Sequence, residues 1–598
     1  MDSGRIPERK GGAAHMRQDR GKKKQSFLHG AMILAAATVV VKLIGAFFKI
    51  PLSILIGGEG MGYFTTAYGL YNPIVALAVA GLPVAVSKVV AANAAARRYR
   101  DVRRIFFLSK LFLAAAGLVG VGIMLLGSGL FVDLSGNPGA WWSVIAISPA
   151  LFFSCLMAAY RGYYEGLRNM YPTGASQVIE AVVKLVLGLG LSYAAILYGK
   201  DSYRNTGRVF GMYVAGETEA NLLIVQLAAA AAVTGVMLST CFGMLFLMVR
   251  HKFIGDGITK EELHHAPPPQ RRGVLLRELI SIAVPVCLGS LVTNLTSIVD
   301  LFSVMNRLGT AIAAAPKEIL SMYEGMLPSN LDLEGLPNYL WGCYQGLAVT
   351  IFNVVPSVTV TFGISALPAV TTAWTRRNRR ETQRNIESVL RITALVAFPA
   401  GLGLTALSGP ILNLLFGARP QEVLVAAPLL RTMGIAVIFV AIASPVYSIL
   451  QAIGRADLPV KFMLVGAGIK LAVNFFLVAV PQVNIQGAPV GTTGCYAFIV
   501  VASLISLKRL TKIALQVGNV FVKPFLCGGM CALAAWASYG LLARIAGARL
   551  STVIAVALGG GIYLIALLAT KTLQKDDILM LPKGEKIAKA LEKRGFIG

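Results

Sequence analysis

The stretch 28–56, LHGAMILAAATVVVKLIGAFFKIPLSILI, decides the fold because it is almost unbroken apolar sequence. A bilayer core about 30 Å thick needs about 20 helical residues, so this stretch is long enough to cross it. It is too long for the core of a cleaved signal peptide, and many similar stretches follow it. We therefore predict an uncleaved first membrane span, preceded by the basic segment 1–26.

The composition also favours a membrane protein. Of the 598 residues, 56% are hydrophobic and 14% are charged, and the mean hydropathy is +0.69. A soluble chain carries about 25% charged residues, so a soluble, disordered or collagen-like protein is excluded. The net charge of +27 would suggest nucleic acid on a soluble chain. Here we attribute it to cytoplasmic loops that face membrane lipids, and we expect no nucleic-acid partner.

Fourteen apolar stretches are each long enough to form a span. They lack strict alternation and are about twice as long as β-barrel strands, so we predict an all-α integral membrane protein. The expected spans are 28–56, 64–93, 105–131, 141–164, 174–198, 220–249, 277–304, 340–370, 390–416, 424–453, 459–480, 486–507, 518–543 and 549–570.

The charges of the loops predict the orientation. Loops after even-numbered spans are rich in arginine and lysine, for example 97–104 and 376–384. The loops 57–62, 132–140 and 481–486 contain neither residue. Because basic loops remain in the cytoplasm, we predict a multi-pass plasma-membrane protein with both termini cytoplasmic.

An internal repeat divides the chain into two lobes. Leu82-Pro83 matches Leu367-Pro368 at an offset of 285 residues, and Arg168 matches Arg455 at an offset of 287. Six spans in each half give parallel repeats, whose substrate sites lie at the interface near the mid-plane of the membrane. The expected divisions are a basic segment 1–26, a lobe 27–250, a linker 251–276, a lobe 277–508, a two-helix unit 509–570 and a basic tail 571–598.

Two lysines in the first span are the leading candidates for a binding site. Lys42 and Lys49 are seven residues apart, so they lie within about 20° of each other on one helical face. An ionisable residue in the bilayer core is costly and usually faces a wet interior. We therefore predict a lysine-lined cavity, the alternative being that the two side chains extend to the lipid headgroups.

Other charged and polar residues fall inside or beside the spans. In span seven, Asn294, Asp300 and Arg307 could bind substrate, or the last two could form an ion pair at the helix end. In span five, Gln177, Glu180 and Lys184 could line a cavity. The spacing of Glu180 and Lys184 favours a structural ion pair between them. A cytoplasmic entrance for the substrate, or a solvated loop, would include Lys88, Arg161 and Glu165.

The sequence has no GxxxxGK[ST] motif for ATP, and none of its histidines is spaced with a cysteine or carboxylate as metal ligands are. We therefore expect no enzyme, no metal and no cofactor. Transport would be driven by a coupling ion, Na⁺ or H⁺, or by the membrane potential.

Several of these motifs resemble the stage V sporulation protein B and lipid II flippase branch of the MATE-like flippase superfamily. The resemblance covers most of the chain and is strongest in the first half. It is carried by Lys42-Leu43-Ile44-Gly45, Lys49-Ile50-Pro51, Gly81-Leu82-Pro83-Val84-Ala85-Val86-Ser87-Lys88, Gly162-Tyr163-Tyr164-Glu165-Gly166, Asn169-Met170-Tyr171-Pro172-Thr173 and Ser176-Gln177-Val178-Ile179-Glu180.

The resemblance implies two six-helix lobes around a central cavity and a lipid-holding groove formed by the last two helices. It implies alternating access that moves an undecaprenyl-pyrophosphate-linked saccharide to the outer leaflet. The basic cavity residues of the family's first span correspond to Lys42 and Lys49. The family often has arginine there, so this chain would bind pyrophosphate through point charges rather than a planar fork.

Three other functions remain open. A cation-coupled multidrug exporter of the same superfamily would use buried carboxylates rather than paired lysines. A polytopic enzyme acting on lipid-linked sugars would need catalytic residues in an extracytoplasmic loop, and 305–339 is short and has no histidine. A scaffold without transport would leave lysines in the membrane unexplained.

Single cysteines placed in a cysteine-free variant test the orientation. We expect Arg100→Cys and Asn378→Cys to react with a membrane-impermeant maleimide only in inside-out vesicles, because both loops are basic. Asp133→Cys, in the loop 132–140 without lysine or arginine, is the control that should react in whole cells. Labelling of position 100 or 378 from outside would contradict the topology.

Overall fold

The computed structural model describes residues 27–77, 81–329, 331–545 and 547–572. The predicted basic segment 1–26 and nearly all of the tail 571–598 lie outside these residues. The all-α prediction is confirmed, because the described residues are helices and turns apart from one hairpin. Its strands, β1 (Arg208–Val209) and β2 (Met212–Tyr213), pair antiparallel.

The helices of the first half follow the apolar stretches. Backbone polar groups in a bilayer must bond within their own segment, which makes long helices the stable form of these runs. The helices are α1 (Phe27–Val75), α2 (Gly81–Ala95), α3 (Tyr99–Leu126), α4 (Ser128–Leu134), α5 (Trp141–Gly166), α6 (Tyr171–Thr206) and α7 (Glu217–Ile254).

The second half is more broken. A short helix, α8 (Lys260–His264), lies in the linker between the halves, and a π-helical turn at Cys343–Ala348 joins α11 to α12. The other helices are α9 (Arg272–Ala314), α10 (Pro316–Met322), α11 (Leu336–Gly342), α12 (Val349–Phe352), α13 (Val354–Thr375), α14 (Arg379–Ala406), α15 (Ser408–Phe416), α16 (Pro420–Ala452), α17 (Asp457–Leu477), α18 (Gly487–Thr511), α19 (Lys523–Leu542) and α20 (Ala548–Ala569).

The number of spans is close to the prediction but the count of fourteen is not confirmed. Among the described residues, 12 helices are long and apolar enough to cross a membrane. The count rises to 13 with Asn294–Ala314 and Pro316–Met322, which are bent by 107°. One reason for the difference is that Ala36–Val75 counts as one helix, although it consists of two helical segments that meet at a kink at Gly57, inside the predicted loop 57–62.

The turns on the predicted cytoplasmic side are alike in the two halves. Arg97, after α2, and Arg377, after α13, both have a φ of 55°. The amide of each bonds three residues back, to Ala94 and Trp374 respectively. The division into two repeated lobes stays a prediction, with which these matching turns agree.

The kink in α1 is held by the second lobe. Gly57 has a φ of 69°, a left-handed conformation that favours glycine. Beside it, the Gly58 amide donates a 2.8 Å hydrogen bond to Glu422 Oε1. Arg419 Nε donates to the Ile54 carbonyl at 3.0 Å. The start of α16 therefore satisfies backbone groups that the kink frees.

Close packing around this kink joins the lobes, and we call it the inter-lobe seal: residues 57–62 of α1 against residues 338–342. Asn338 Nδ2 donates to the Glu59 carbonyl at 2.9 Å, and Asn137 Nδ2 donates to Asn338 Oδ1 at 2.8 Å. Gly342 lies so close to the Gly58 carbonyl that a Cβ could not be accommodated.

The linker between the lobes is docked on the first lobe. Arg103 Nε lies 3.2 Å from Asp256 Oδ2, and Tyr163 donates to the same oxygen at 2.9 Å. The backbone amide of Gln270 donates to Asp101 Oδ1 at 2.7 Å. Burial alone would raise the pKa of Asp256, but the bonds from Arg103 and Tyr163 hold it below its ordinary value. The stabilisation from Asp256 is therefore present at neutral pH and lost in acid.

Substitution of Gly342 tests the seal. We expect Gly342→Ala to destabilise the protein by about 1–3 kcal/mol, because the added methyl forces two backbones apart. The measurement is the unfolding temperature of purified protein in detergent. Gly403→Ala in α14, where a Cβ meets nothing within 4 Å, is the matched control and should be neutral or stabilising. Equal unfolding temperatures for Gly342→Ala and the unmodified protein would show that the seal tolerates separation.

Candidate functional site

Three lysines from two helices line a cavity of about 340 Å³ between the lobes, which we call the lysine cavity. Lys42 and Lys49 come from α1 and Lys184 comes from α6. Asn353 and the start of α13 form the facing wall. The two predicted lysines of α1 therefore face a cavity whose wall also includes Lys184 of α6.

An aromatic ring packs between α1 and the lysine of α6. Phe48, between Lys42 and Lys49 in sequence, is buried and packs on Phe64 with ring centres 6.0 Å apart. The Lys184 ammonium lies over the Phe48 ring, 5.6 Å from its centre. Buried Phe48 thus supports α1 from one side and holds a cation of α6 beside the cavity.

None of the three ammonium groups forms an ion pair with a carboxylate of the described residues. The ion pairs of the membrane helices lie elsewhere, at Arg161–Glu180 and Asp300–Lys470 for example. Unpaired charge in a low-dielectric site is costly, so three clustered cations create a strong preference for an anion.

A second cavity of about 270 Å³ adjoins the first, and we call it the polar cavity. The two cavities share Lys49, Phe64, Tyr68 and Asn353 as wall residues. The rest of its wall combines aromatic rings with amide and hydroxyl groups. These include Asn72, Thr296, Ser297, Trp341, Tyr344, Gln345, Thr492 and Tyr496.

A buried ion pair stands in the wall of the polar cavity. Lys470 Nζ lies 2.6 Å from Asp300 Oδ2, and Asn474 Nδ2 donates to Asp300 Oδ1 at 3.0 Å. The same amide group also donates to Ser303 Oγ at 3.0 Å. These bonds tie α17 to α9 and neutralise Lys470, in contrast to the lysines of the neighbouring cavity.

The described residues also include the side-chain types that hold metal ions. Within the described residues, no group of three or more histidine, cysteine, aspartate or glutamate side chains could hold a metal ion. The walls of the two cavities combine lysines, aromatic rings and neutral polar groups with one carboxylate, Asp300.

Two family models match the sequence. The model described as "Polysaccharide biosynthesis protein" matches residues 27–375, more than half of the chain. The chain belongs to the polysaccharide biosynthesis protein family. The model described as "Lipid II flippase MurJ" matches residues 342–558, so the two models together cover both lobes.

Curated relatives of this chain match over nearly their whole length. Stage V sporulation protein B of Bacillus subtilis is 21% identical over 567 residues, which are 94% of this chain and 98% of the relative. Lipid II flippase MurJ of the same organism is 23% identical over 559 residues, 90% of this chain and 94% of the relative. The resemblance read from the motifs is therefore confirmed.

Solved structures share the fold. Lipid II flippase MurJ in an inward closed conformation superposes with a TM-score of 0.59 at 14% identity, over 90% of this chain and 98% of that one. An inward-facing multidrug resistance MATE family transporter superposes with a TM-score of 0.55 at 16% identity, over 80% of this chain and 98% of that one. At such low identity these matches show the fold alone.

The three candidates of span seven have different surroundings in the structure. Asp300 lines the polar cavity and is held by Lys470. Arg307 does not pair with Asp300, because its guanidinium stacks 3.3 Å from the Phe475 ring centre. Asn294 Nδ2 bonds the Ser290 carbonyl of its own helix. Asp300 alone of these three lines either cavity, and the alternative of an ion pair between Asp300 and Arg307 was wrong.

The span-five candidates separate as well. Glu180 pairs with Arg161 of α5 at 3.0 Å, and Arg161 also bonds Ser176. The predicted structural ion pair between Glu180 and Lys184 was therefore wrong. The guanidinium reaches across from α5, which leaves Lys184 to the lysine cavity. Gln177 Oε1 is buried without a hydrogen-bond partner in the described part of the chain.

The residues expected at a cytoplasmic entrance lie apart from both cavities. Arg161 is engaged between α5 and α6, as described above. Glu165 accepts a 3.1 Å hydrogen bond from Thr173, and Lys88 is exposed on α2. Their role as an entrance stays a prediction.

Sequence reasoning missed Lys470. It stands between Ile469 and Leu471 in the apolar stretch 459–480. The rule that singled out Lys42, that a charge in a membrane span needs a partner or a wet cavity, applies equally to Lys470 and could have found it.

Paired substitutions distinguish the partner of Glu180. We expect Glu180→Gln and Arg161→Met each to lower membrane abundance and unfolding temperature. Each change leaves a partly buried partner unsatisfied, which costs about 1–3 kcal/mol. The double variant should recover part of this loss, with a coupling energy above about 0.5 kcal/mol. Lys184→Met is the control and should show no such coupling to Glu180→Gln. Strong coupling between these two changes would instead support an ion pair between Glu180 and Lys184.

Proposed function

We propose that this protein is a flippase that moves an undecaprenyl-pyrophosphate-linked saccharide from the inner to the outer leaflet by alternating access. The saccharide would be lipid II or a related cell-wall, spore-wall or polysaccharide precursor. The observation that carries the proposal is the convergence of Lys42, Lys49 and Lys184 on one cavity between the lobes. A pyrophosphate is the anion that such a cluster would bind within a membrane.

The lysine cavity can receive a molecule whose tail remains in the lipid. Large apolar side chains on its two flanking helices are exposed: Phe47 of α1 is 66% exposed and Val358 of α13 is 47% exposed. Leu43 and Val358 are also wall residues of this cavity. A headgroup could therefore enter between α1 and α13 while its polyprenyl chain stays among the membrane lipids.

Transport would require the inter-lobe seal to open. With both termini in the cytoplasm, as we propose, the kink at Gly57 and the start of α16 lie at the outer side of the membrane. The bonds of Glu422 and Asn338 close that side in this structure. Their breakage would separate the lobes and expose the cavities to the outside.

The membrane potential acts in the direction that this transport requires. The cell interior is negative, so outward movement of a pyrophosphate anion is favoured by about 2.3 kcal/mol per charge for each 100 mV. The lysines would offset part of this charge during the crossing. A coupling ion, Na⁺ or H⁺, remains the alternative source of energy.

The multidrug-exporter alternative shares the fold but fits the site less well. An exporter of organic cations needs negative charge in its cavity, whereas the lysine cavity offers three cations and no carboxylate among its wall residues. The one carboxylate in the wall of the polar cavity, Asp300, is neutralised by Lys470. The flippase proposal accounts for the site's charge.

Charge substitutions in the lysine cavity test the function. In liposomes with a fluorescent undecaprenyl-pyrophosphate sugar, we expect Lys42→Arg and Lys49→Arg to retain most flipping. Alanine at either position, or at Lys184, should slow it about tenfold. Glutamate should abolish it, because a carboxylate repels the pyrophosphate in a low-dielectric site.

Lys252→Glu, an exposed position at the end of α7, is the matched control and should flip normally. Efflux of a cationic dye from the same liposomes tests the exporter alternative. Full sugar-lipid flipping by Lys42→Glu and Lys49→Glu at normal abundance, or dye efflux with no flipping, would refute the proposal.

A further inference from the structure

We propose that the polar cavity is the saccharide subsite, so that the headgroup binds with its pyrophosphate at the lysines and its sugar beyond them, beneath the inter-lobe seal. This rests on the proposed function and goes further by dividing the site and fixing the direction of the headgroup. Four observations support it: continuity of the cavities, the difference in their charge, the chemistry of the second wall and its position.

The cavities form one path. Lys49, Tyr68 and Asn353 belong to the walls of both. A headgroup held by Lys49 through a phosphate therefore has its next chemical group at the mouth of the polar cavity. No large movement of the protein is needed to bring the two parts of one ligand to the two subsites.

Charge separates the subsites. The lysine cavity carries three cations without carboxylate partners among the described residues. The polar cavity contains one more lysine, Lys470, but Asp300 lies 2.6 Å from its ammonium and cancels its charge. A pyrophosphate is therefore drawn to the lysine cavity, and a neutral group can occupy the polar cavity without displacing an ion pair.

The wall of the polar cavity has the chemistry that recognises a sugar. A pyranose offers hydroxyl groups to amides and apolar C–H faces to aromatic rings. Asn72 is exposed and Gln345 is half-buried, and neither side chain has a hydrogen-bond partner within the described ranges. Trp341 and Tyr344 contribute rings with centres 5.9 Å apart. Amides that bond both as donor and as acceptor suit a polyol.

Two buried groups in this wall are left unsatisfied within the described part of the chain, the Tyr344 hydroxyl and the Trp341 indole. Trp341 is 2% exposed, and its indole N–H has no hydrogen-bond partner among the described residues. Leaving such a group unpaired is unfavourable, so a ligand hydroxyl that reached it would gain affinity. Trp341 adjoins Gly342, which packs on Gly58 in the seal. The sugar would therefore lie nearest the outer side and leave first.

Binding of two probes to the full chain in nanodiscs tests the division. The probes are undecaprenyl pyrophosphate alone and the same carrier with a disaccharide attached. We expect Gln345→Ala and Asn72→Ala to weaken binding of the disaccharide probe about five- to tenfold, the effect of one lost hydrogen bond. Binding of the bare carrier should change less than twofold. Lys42→Ala should weaken both probes alike.

Trp341→Phe keeps the ring and removes the N–H, so it should also weaken the disaccharide probe selectively. The unfolding temperature of each variant shows that it is folded, and Asn205→Ala, an exposed amide outside both cavities, should leave both affinities unchanged. Equal weakening of both probes by the polar-cavity variants, or no weakening of either, overturns the subsite assignment while the flippase function stands. If the unmodified protein binds neither probe, the proposed function itself fails and the subsite with it.

Discussion

Unpaired positive charge inside a hydrophobic bundle is the constraint on which the rest of this structure depends. An ammonium group in the bilayer core costs several kcal/mol unless water, a carboxylate or an anionic ligand compensates it. Lys470 has a carboxylate within 2.6 Å, whereas Lys42, Lys49 and Lys184 share a cavity instead. The protein must therefore keep a wet space between its lobes, and we propose that this space is the binding site.

The same constraint explains why the lobes meet where they do. A wet cavity in the middle of a membrane transporter must be closed on at least one side, or ions would leak through it. The seal achieves this with backbone contact at Gly58 and Gly342 and with a hydrogen bond donated by Asn338, and the adjoining Glu422 accepts another from the Gly58 amide. Contacts of this kind are short-ranged, so a small separation of the lobes breaks them together. Such a contact suits two discrete states better than a gradual opening.

The fold was largely predictable because hydropathy reports burial in lipid directly. The apolar stretches, the helical class and the lysine stripe on α1 all follow from local sequence. The partner of Glu180 did not, since Arg161 is 19 residues away in sequence and reaches Glu180 only through the packing of α5 on α6. The form of the break at 57–62, a kink rather than a loop, was missed for a similar reason: the backbone groups at this kink are satisfied by Arg419 and Glu422, from the other lobe.

The contrast between the two cavities also bears on the order of events during transport. A site that bound every part of a charged glycolipid tightly would release it slowly, because uniform binding lowers the energy of the bound state without helping it to leave. Here the strong electrostatic contacts are confined to the lysine cavity, and the polar cavity offers neutral hydrogen bonds that water can replace. A saccharide at the outer end could exchange these bonds for water as soon as the seal opened. The pyrophosphate would then be the last group held, and the membrane potential acts on that group.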